Sequence, residues 1–413
     1  LGIPDDVGNY IASMIPFERG SLWDIKDCLY GNEEKHRKPI KQFVNEVRKY
    51  EGLEEMLLKV QGLIDKRSTH AGGVLVLNNH YVEQNALMKS PDGAHVTQFN
   101  LDDTQTMGGI KMDLLSLDAL TKIQETFNYL LNDKVIEKEE TLRKTFAKYF
   151  HPDVIDKESK ELFELASSGT VQDLFQFSTA VGYGAVTNTK PSNLIEMMAI
   201  NSVMRLMNRL GETPLATFAK FKEDISLWYK EMESYGLTKE EVTIMEEHLL
   251  KLVGIADTQE SVMLIAMDER IAKFTMEEAT FLRKTIAGSS KENIEKLEEM
   301  FYSNGERQGT RKEFLDYIWE VQIGAQLGYS FSSPHVLAYS LVAILELNLN
   351  LHTNPLYWQT AVLNSNAGTI DLGEDAEQKH DLGKVAKAVS ELQQQDIQIA
   401  PPLINEADYS FVP

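Results

Sequence analysis

The fold class of this chain turns on one stretch, Gly108-Gly109-Ile110-Lys111-Met112-Asp113-Leu114-Leu115. Its alternation of apolar and charged residues predicts a strand, in which every second side chain shares a face. We therefore expect Lys111 and Asp113 to lie together on one face, while three apolar side chains on the other face meet the core: Ile110, Met112 and Leu114. Such an acid–base pair could hold a magnesium ion and a triphosphate, or could be an ordinary solvated ion pair.

Two further strand candidates precede this stretch. A strand-like apolar run at residues 74–77 follows Gly72-Gly73, and residues 95–99 form the other candidate. Residues 41–63 carry apolar side chains at helical spacing, and nearly everything from residue 116 onward also has helical periodicity. The pattern therefore predicts a mostly α protein with a small β-sheet (α+β), in which the sheet separates a short helical region from a long one.

Helix starts are marked clearly in the long helical region. An apolar stripe opens it, formed by Leu117, Leu120, Ile123, Phe127 and Leu130. Capping boxes, in which a hydroxyl and a glutamate three residues later satisfy free backbone amides, are predicted at four positions: Thr238 with Glu241, Thr275 with Glu278, Ser289 with Glu292, and Thr310 with Glu313.

Composition restricts the function classes. The 413 residues include one cysteine, so an internal disulfide is excluded, and no secretory leader is recognisable, which together predict a cytoplasmic protein. The longest apolar stretch, at about residues 336–347, is predicted to be a buried core helix rather than a membrane span. The net charge of −22 is unusual for a nucleic-acid-binding protein. Either the cations are segregated on one face, or the DNA-binding surface lies mostly outside this chain.

Three more groups of residues are candidate ligand contacts, each with a plain structural alternative. Arg67 and His70 flank small residues that let a ligand approach the backbone, although a tight turn explains them equally well. Arg283 and Lys284 could contact phosphate or be ordinary cations on a helix surface. His335 is predicted near a helix N-terminus, where backbone amides favour anions, or could simply cap that helix. The sequence shows no motif of nucleophilic catalysis.

The order of the motifs is more specific than any one of them. Thr69-His70-Ala71-Gly72-Gly73-Val74 is followed by Thr97-Gln98-Phe99-Asn100 and then by the stretch at 109–117. Further along come Leu174-Phe175-Gln176-Phe177 and other segments in a fixed order: Gln259-Glu260-Ser261-Val262-Met263, Leu282-Arg283-Lys284-Thr285-Ile286, Gly328-Tyr329-Ser330-Phe331 with His335, and Pro401-Pro402-Leu403-Ile404-Asn405. This succession resembles the alpha subunit of bacterial DNA polymerase III and its phage relatives, the C-family of DNA polymerases, over essentially the whole chain.

The resemblance implies a domain organisation. Residues 1–66 correspond to the thumb, 67–116 to the second part of the palm, and 117–413 to the fingers. It also implies that this chain is a piece of a longer protein, whose other two catalytic aspartates lie upstream.

The resemblance assigns roles as well. Asp113 matches the third catalytic aspartate, a ligand of one of two Mg²⁺ ions. Phosphate or nucleotide contacts are expected from seven further residues: Lys111, Arg205, Arg283 and Lys284, and less specifically Arg67, His70 and His335. The implied reaction is template-directed addition of dNTPs to a primer 3′ end, by an enzyme that contacts primer-template DNA and, through segments outside this chain, the sliding clamp and other replisome proteins. No membrane partner is expected.

The sequence departs from the family at three cationic motifs. Ser332-Ser333-Pro334 lacks a lysine, Ala287-Gly288-Ser289-Ser290 lacks two cations, and Arg205-Leu206-Met207-Asn208 keeps only the arginine. Fewer phosphate contacts would weaken DNA binding and flatten its salt dependence. Two alternatives therefore remain open: a non-catalytic helical module that binds DNA or a replisome protein, and a nucleotide-binding enzyme unrelated to replication.

Overall fold

The computed structural model divides into two compact units, residues 1–116 and 117–413. It describes residues 1–18, 21–33, 35, 37–63, 69–70, 72–77, 83, 85–90, 93–206, 212–288, 290–367, 382–393, 397–401 and 411–413. Each unit has a hydrophobic core of its own. The predicted domain boundary near residue 66 falls among residues 64–68, outside the described part, and stays a prediction.

The first unit begins with four helices around a small core. Buried side chains on three of the helices form this core: Ile11, Ile25, Cys28, Leu29, Phe43 and Val47. The helices are α1 (Asp5–Ser13), α2 (Ile25–Tyr30), α3 (Lys41–Val47) and α4 (Leu53–Val60), and a fifth, α5 (Leu101–Thr106), lies further along the unit.

The apolar periodicity at residues 41–63 is divided between α3 and α4 rather than carried by one helix. Gly52, which precedes α4, has a φ of 79°, a left-handed conformation that a helix interior does not contain. Phe43 and Val47 are buried in α3, whereas Met56 and Val60 of α4 are largely exposed. The predicted helical character is correct, but the break was not visible in the sequence, because apolar spacing does not register a single left-handed residue.

Three two-stranded antiparallel sheets occur among the described residues, instead of the single sheet that was predicted. β1 (Phe17–Glu18) pairs with β2 (Ser21–Leu22), β3 (Gly73–Val76) with β6 (Ile110–Asp113), and β4 (Leu87–Lys89) with β5 (His95–Thr97). The strand candidates thus form where expected, and the prediction of a mostly α protein with a small β component is confirmed.

The apolar face of β6 does not meet the core. Ile110, Met112 and Leu114 are 62%, 52% and 66% exposed, so their predicted burial was wrong. The reason is that β6 pairs with β3 alone, and their shared face, which also carries Val74 and Val76, is not covered by another layer of the described residues.

The second unit is helical in every element that is described. Its helices are α6 (Asp118–Asn132), α7 (Leu142–Tyr149), α8 (Lys160–Ser168), α9 (Ala180–Thr189), α10 (Leu194–Val203), α11 (Pro214–Glu223), α12 (Ser226–Ser234), α13 (Lys239–Leu249), α14 (Gln259–Met267), α15 (Met276–Ile286), α16 (Lys291–Gln308), α17 (Lys312–Tyr317), α18 (Ser333–His352), α19 (Pro355–Ala367) and α20 (Leu382–Gln393). In α6, the predicted stripe buries Ile123, Phe127 and Leu130 but leaves Leu120 about half exposed.

Two of the four predicted capping boxes form, at Thr238 with Glu241 and at Thr275 with Glu278. The other two do not. Helix α16 is capped by Ser290, one residue after the predicted position, which lies outside the described residues. Helix α17 begins after Arg311, because the hydroxyl of Thr310 instead donates a hydrogen bond to the carbonyl of Ile271.

Helix α18 is the central helix of the second unit. Its 20 residues are long and apolar enough to cross a membrane by length and composition alone. However, 56% of its apolar window is buried inside the protein, and its buried residues include Glu346, Asn348 and Asn350. Burial against the rest of the protein and buried polar side chains are properties of a helix that packs inside a protein core, as the sequence predicted.

Candidate functional site

The β3–β6 pair places the residues of two sequence motifs opposite each other. Gly73 pairs with Asp113, and Leu75 pairs with Lys111. Because paired residues and residues two apart share a face, Lys111 and Asp113 project to the same side, as the alternation predicted. Their Nζ and Oδ1 atoms are 2.9 Å apart.

His70 completes a small polar group with this pair. Its Nε2 atom lies 3.3 Å from Lys111 Nζ and 3.8 Å from Asp113 Oδ1. Its Nδ1 atom accepts a hydrogen bond from the backbone N–H of Gly72, at 3.2 Å. A neutral imidazole accepts at only one of its two nitrogens, so the Gly72 N–H and the Lys111 ammonium compete for the single lone pair of His70. Lys111 is thus the donor in hydrogen-bond contact with Asp113, and His70 lies beside the pair.

The two glycines explain why the histidine can lie there. A Cβ atom on Gly73 would sit 2.9 Å from Cγ and Nδ1 of His70, and one on Gly72 would sit 2.8 Å from the carbonyl oxygen of Leu114. Both contacts are too close for a side chain. The Gly72-Gly73 dipeptide therefore lets the His70 ring and strand β6 approach the start of β3.

Asp113 is half exposed at 48%, whereas Lys111 is only 18% exposed. An accessible carboxylate oxygen fits a Mg²⁺ ligand, because this ion takes one or two protein carboxylates and fills its other positions with water or phosphate oxygens. No group of three or more histidine, cysteine or acidic residues that could hold a metal ion occurs in the part of the chain that the structure describes. Asp113 could thus share a Mg²⁺ ion with other ligands but not enclose one.

The remaining site candidates have separate surroundings, and Arg67 lies outside the described residues. Arg283 and Lys284 are exposed in the last turn of α15. The carbonyl of Ile286, at the end of that turn, accepts a hydrogen bond from the N–H of Gly328 at 2.9 Å. The predicted cationic motif and the Gly328-Tyr329 motif are therefore neighbours in the second unit.

Arg205 and His335 both lie against one aromatic group. The rings of Tyr329, Phe331, His335 and Tyr339, here called the aromatic ladder, follow one another with centroids 5.8–6.5 Å apart, three of the contacts being stacked. The guanidinium of Arg205 lies 5.2 Å from the Phe331 ring centroid, within cation–π range. His335 Nδ1 is 2.8 Å from Ser332 Oγ.

The loop that carries the ladder is held by the first turn of α14. Gln259 donates a backbone hydrogen bond to the carbonyl of Phe331 and a side-chain one to the carbonyl of Ser330, at 3.0 and 2.8 Å. The Glu260 carboxylate accepts the N–H of Ser333, in the first turn of α18, at 2.7 Å. The Gln259-Glu260 motif therefore fixes the ladder rather than contacting a ligand itself.

The aromatic ladder was not predicted from the sequence, although the spacing of its residues indicates that their side chains lie on one side. Tyr329 and Phe331 are two residues apart in extended chain, and His335 and Tyr339 are four apart on a helix. Each spacing places its two side chains on one side. What the sequence could not provide is the contact of Arg205, which follows the end of helix α10 and lies more than a hundred positions earlier in the chain.

The chain matches models of two known protein families. The family model of the bacterial DNA polymerase III alpha NTPase domain matches residues 1–116, and that of the bacterial DNA polymerase III alpha subunit finger domain matches residues 120–309. Two consecutive domains of one polymerase subunit thus account for most of the chain. The chain belongs to the family of bacterial DNA polymerase III alpha subunits and their phage relatives.

Individual relatives match over nearly the whole chain. It is 47% identical over its full length to the probable DNA polymerase YorL of Bacillus subtilis and to the DNA-directed DNA polymerase of Bacillus phage SPbeta, and covers 32% of each. It is 23% identical to the DNA polymerase III subunit alpha of Thermus aquaticus, over 99% of the chain and 30% of that relative. The chain thus spans about a third of the length of these relatives.

Proposed function

We propose that this chain supplies part of the active site of a template-directed DNA polymerase, which adds deoxynucleotides to a primer 3′ end. The observation that carries the proposal is the group of Asp113, Lys111 and His70 on paired strands, in a chain of this family. The carboxylate is accessible, and both neighbouring donors carry or can carry positive charge. Such a group suits a reaction in which negative charge accumulates on phosphate oxygens.

Asp113 is the residue that would hold a Mg²⁺ ion, together with ligands from outside the described residues. When bound there, Mg²⁺ supplies Lewis-acid activation of the primer hydroxyl and neutralisation of the triphosphate, as one of two such ions. The Lys111 ammonium, which contacts the Asp113 carboxylate, and the neighbouring His70 imidazole would donate hydrogen bonds to phosphate oxygens of the nucleotide.

The second unit would contribute nucleotide contacts of its own. Aromatic rings stack on nucleobases whatever the base, and an arginine beside them adds a cation–π contribution and a phosphate donor. The aromatic ladder with Arg205 offers such a surface, because Tyr329 and His335 are exposed. Arg283 and Lys284, also exposed, would contact phosphate. Primer-template DNA and dNTPs are the proposed ligands, and the sliding clamp and other replisome proteins would bind elsewhere in the longer protein.

One observation favours a second candidate function. The net charge of −22 opposes phosphate binding, as expected of a non-catalytic module that binds a replisome protein rather than DNA. Filter binding with primer-template DNA, at low and moderate salt, separates the two functions. A polymerase binds primer-template at low salt, whereas a module that binds only a replisome protein does not.

The decisive test is Asp113→Asn in the polymerase that contains the whole of this chain. Primer extension should fall at least about a thousandfold, or about 4 kcal/mol of transition-state stabilisation, because the amide is neutral and a poor Mg²⁺ ligand. Folding and DNA binding should be almost unchanged, since Asp113 is half exposed and makes no contact that the core needs. Extension rates, thermal unfolding and filter binding measure the three effects.

Asp103→Asn is the matched control, because Asp103 is an exposed aspartate of the same unit. It should extend primers at the normal rate. Near-normal extension by Asp113→Asn, or an equal loss with the control, would show that Asp113 has no special part in the reaction.

A further inference from the structure

The turn at residues 172–177, which contains the Leu174-Phe175-Gln176-Phe177 motif, has an unusual backbone. Asp173 and Gln176 have φ values of 53° and 71°, in the left-handed region that non-glycine residues rarely adopt. Within the turn, one hydrogen bond joins the N–H of Phe177 to the carbonyl of Leu174, at 2.9 Å. Such a conformation persists only when surrounding contacts fix it.

The strongest of these contacts comes from the middle of the central helix. Oε2 of Glu346 in α18 accepts the backbone N–H of Phe175 at 2.7 Å. Glu346 is completely buried, and its Oε1 atom has no hydrogen-bond partner among the described residues. Burial raises the pKa of Glu346 well above its usual range, although the hydrogen bond from Phe175 and the charge of Lys122 lower it, and Asp173 and Asp118 raise it further. A neutral carboxyl group is therefore the form that fits this position.

Lys122 fixes the same turn from a second side. Its ammonium group, on α6, is buried and contacts the carboxylates of Asp118 and Asp173. The positive charge of Lys122 is thus already neutralised by two carboxylates, which leaves Glu346 to act through its hydrogen bond rather than through an ion pair.

On its other side the turn contacts the proposed nucleotide surface. The Gln176 side-chain oxygen accepts a hydrogen bond from Nη2 of Arg205, whose Nε also donates to the carbonyl of Asn201 at 3.1 Å. The Phe175 ring packs edge-on against Tyr339 of the aromatic ladder, with centroids 5.4 Å apart. Glu346 therefore holds the backbone of Phe175, whose ring supports Tyr339 and which directly precedes Gln176, the residue that orients Arg205.

We propose that Glu346 is a positioning residue, which fixes the 172–177 turn from inside the core so that Gln176 and Phe175 hold Arg205 and Tyr339 in place for nucleotide binding. This proposal rests on the function proposed above, because it assigns nucleotide binding to Arg205 and the ladder. It differs from a merely structural role, in which Glu346 would affect stability but not the orientation of Arg205.

Two substitutions at the same position separate these roles. Glu346→Gln keeps a neutral oxygen acceptor of the same size, whereas Glu346→Leu keeps the volume and removes the acceptor. In the intact polymerase, Glu346→Leu should raise the KM for dNTP about tenfold with a smaller change in kcat, the effect of misplacing one charged hydrogen-bond donor. Glu346→Gln should restore the normal KM.

Two measurements follow the turn and Arg205 without using polymerase activity. Hydrogen exchange of the peptide that contains Phe175 should be faster in Glu346→Leu, since that amide loses its acceptor. Reaction of Arg205 with phenylglyoxal, measured by mass spectrometry, should also be faster, because the guanidinium is less firmly held. Gln176→Leu, at a half-buried residue, removes the side-chain oxygen that accepts the hydrogen bond from Arg205. This variant should increase Arg205 reactivity and the KM for dNTP even if Glu346→Leu does not fold.

Asn350→Leu is the matched control, a buried polar residue one turn further along α18 whose side chain donates to the carbonyl of Glu346 within the helix. It should leave Arg205 reactivity and the KM unchanged. The proposal is overturned if Gln176→Leu leaves Arg205 reactivity at the wild-type level, or if Asn350→Leu and Glu346→Leu behave alike. Wild-type protein that does not extend primers, or Arg205→Ala with a normal KM, would instead contradict the proposed function, and Arg205 reactivity would still decide the positioning role.

Discussion

Gly73 lacks a side chain at the point where the His70 ring crosses the start of β3. A Cβ atom would lie 2.9 Å from two atoms of that ring, so any larger residue must push the histidine away from Asp113. The backbone itself is unaffected, because Gly73 lies in an extended strand. Gly73 is therefore needed for the position of the His70 ring rather than for the conformation of the strand.

This arrangement predicts the effect of Gly73→Ala in the intact polymerase. We expect kcat/KM for primer extension to fall about tenfold, or about 1.4 kcal/mol, since His70 would no longer face Asp113 and Lys111. The free energy of unfolding should change by less than about 1 kcal/mol, because alanine fits strand geometry and His70 is half exposed. Steady-state kinetics and urea unfolding measure the two quantities.

Gly8→Ala is the control for this substitution. Gly8 lies inside helix α1, and a Cβ there meets nothing within 4 Å. That variant should extend primers normally. If Gly73→Ala also extends at the wild-type rate, the position of His70 has no bearing on the reaction.

The geometry of single residues was only partly predictable from the sequence. Alternation placed Lys111 and Asp113 on one face correctly, because strand periodicity depends on the local chain. It placed Met112 in the core wrongly, because burial depends on which layer covers the sheet. The partners of Arg205 and Glu346 come from distant segments, so no local pattern could reveal them.

At the scale of elements, periodicity found the helices, and capping chemistry found two of the four helix starts that it predicted. The capping prediction failed where the hydroxyl of the expected capping residue forms a hydrogen bond with another part of the protein. The Thr310 hydroxyl bonds to the Ile271 carbonyl, so α17 starts one residue later without a side-chain cap. At Thr275 there is no such competition, and the box forms, with the Glu278 carboxylate accepting the Thr275 N–H at 2.7 Å.

Helix α15 provides a test of this reasoning, since it also carries Arg283 and Lys284. Thr275→Ala removes the cap and should lower the free energy of unfolding by about 1 kcal/mol. Thr280→Ala is the matched control inside the same helix, where the hydroxyl bonds only to the Met276 carbonyl. Because alanine is the better helix former there, the control should change stability by less than about 0.5 kcal/mol. Equal losses in urea unfolding would mean that the box contributes nothing.

At the scale of the whole molecule, charge and site composition limit what this chain can do alone. Most of the excess acidic charge lies in residues 117–413, the unit that carries the aromatic ladder. An acidic unit repels the phosphates of DNA, and the repulsion is screened as salt increases. Arg205, Arg283 and Lys284 must therefore attract phosphate groups at short range, since the net charge of residues 117–413 repels DNA.

The 413-residue chain alone should consequently fold but not extend primers. One accessible carboxylate, Asp113, cannot provide the ligands that two Mg²⁺ ions need, and the described residues hold no second cluster that could. Filter binding should show weak binding to primer-template, with a slope against the logarithm of salt concentration that corresponds to only a few phosphate contacts. Cooperative thermal unfolding of the same preparation would establish that it is folded. Magnesium-dependent extension by this chain, lost on Asp113→Asn, would mean that its own residues complete the site and that the shared-ligand interpretation of Asp113 is wrong.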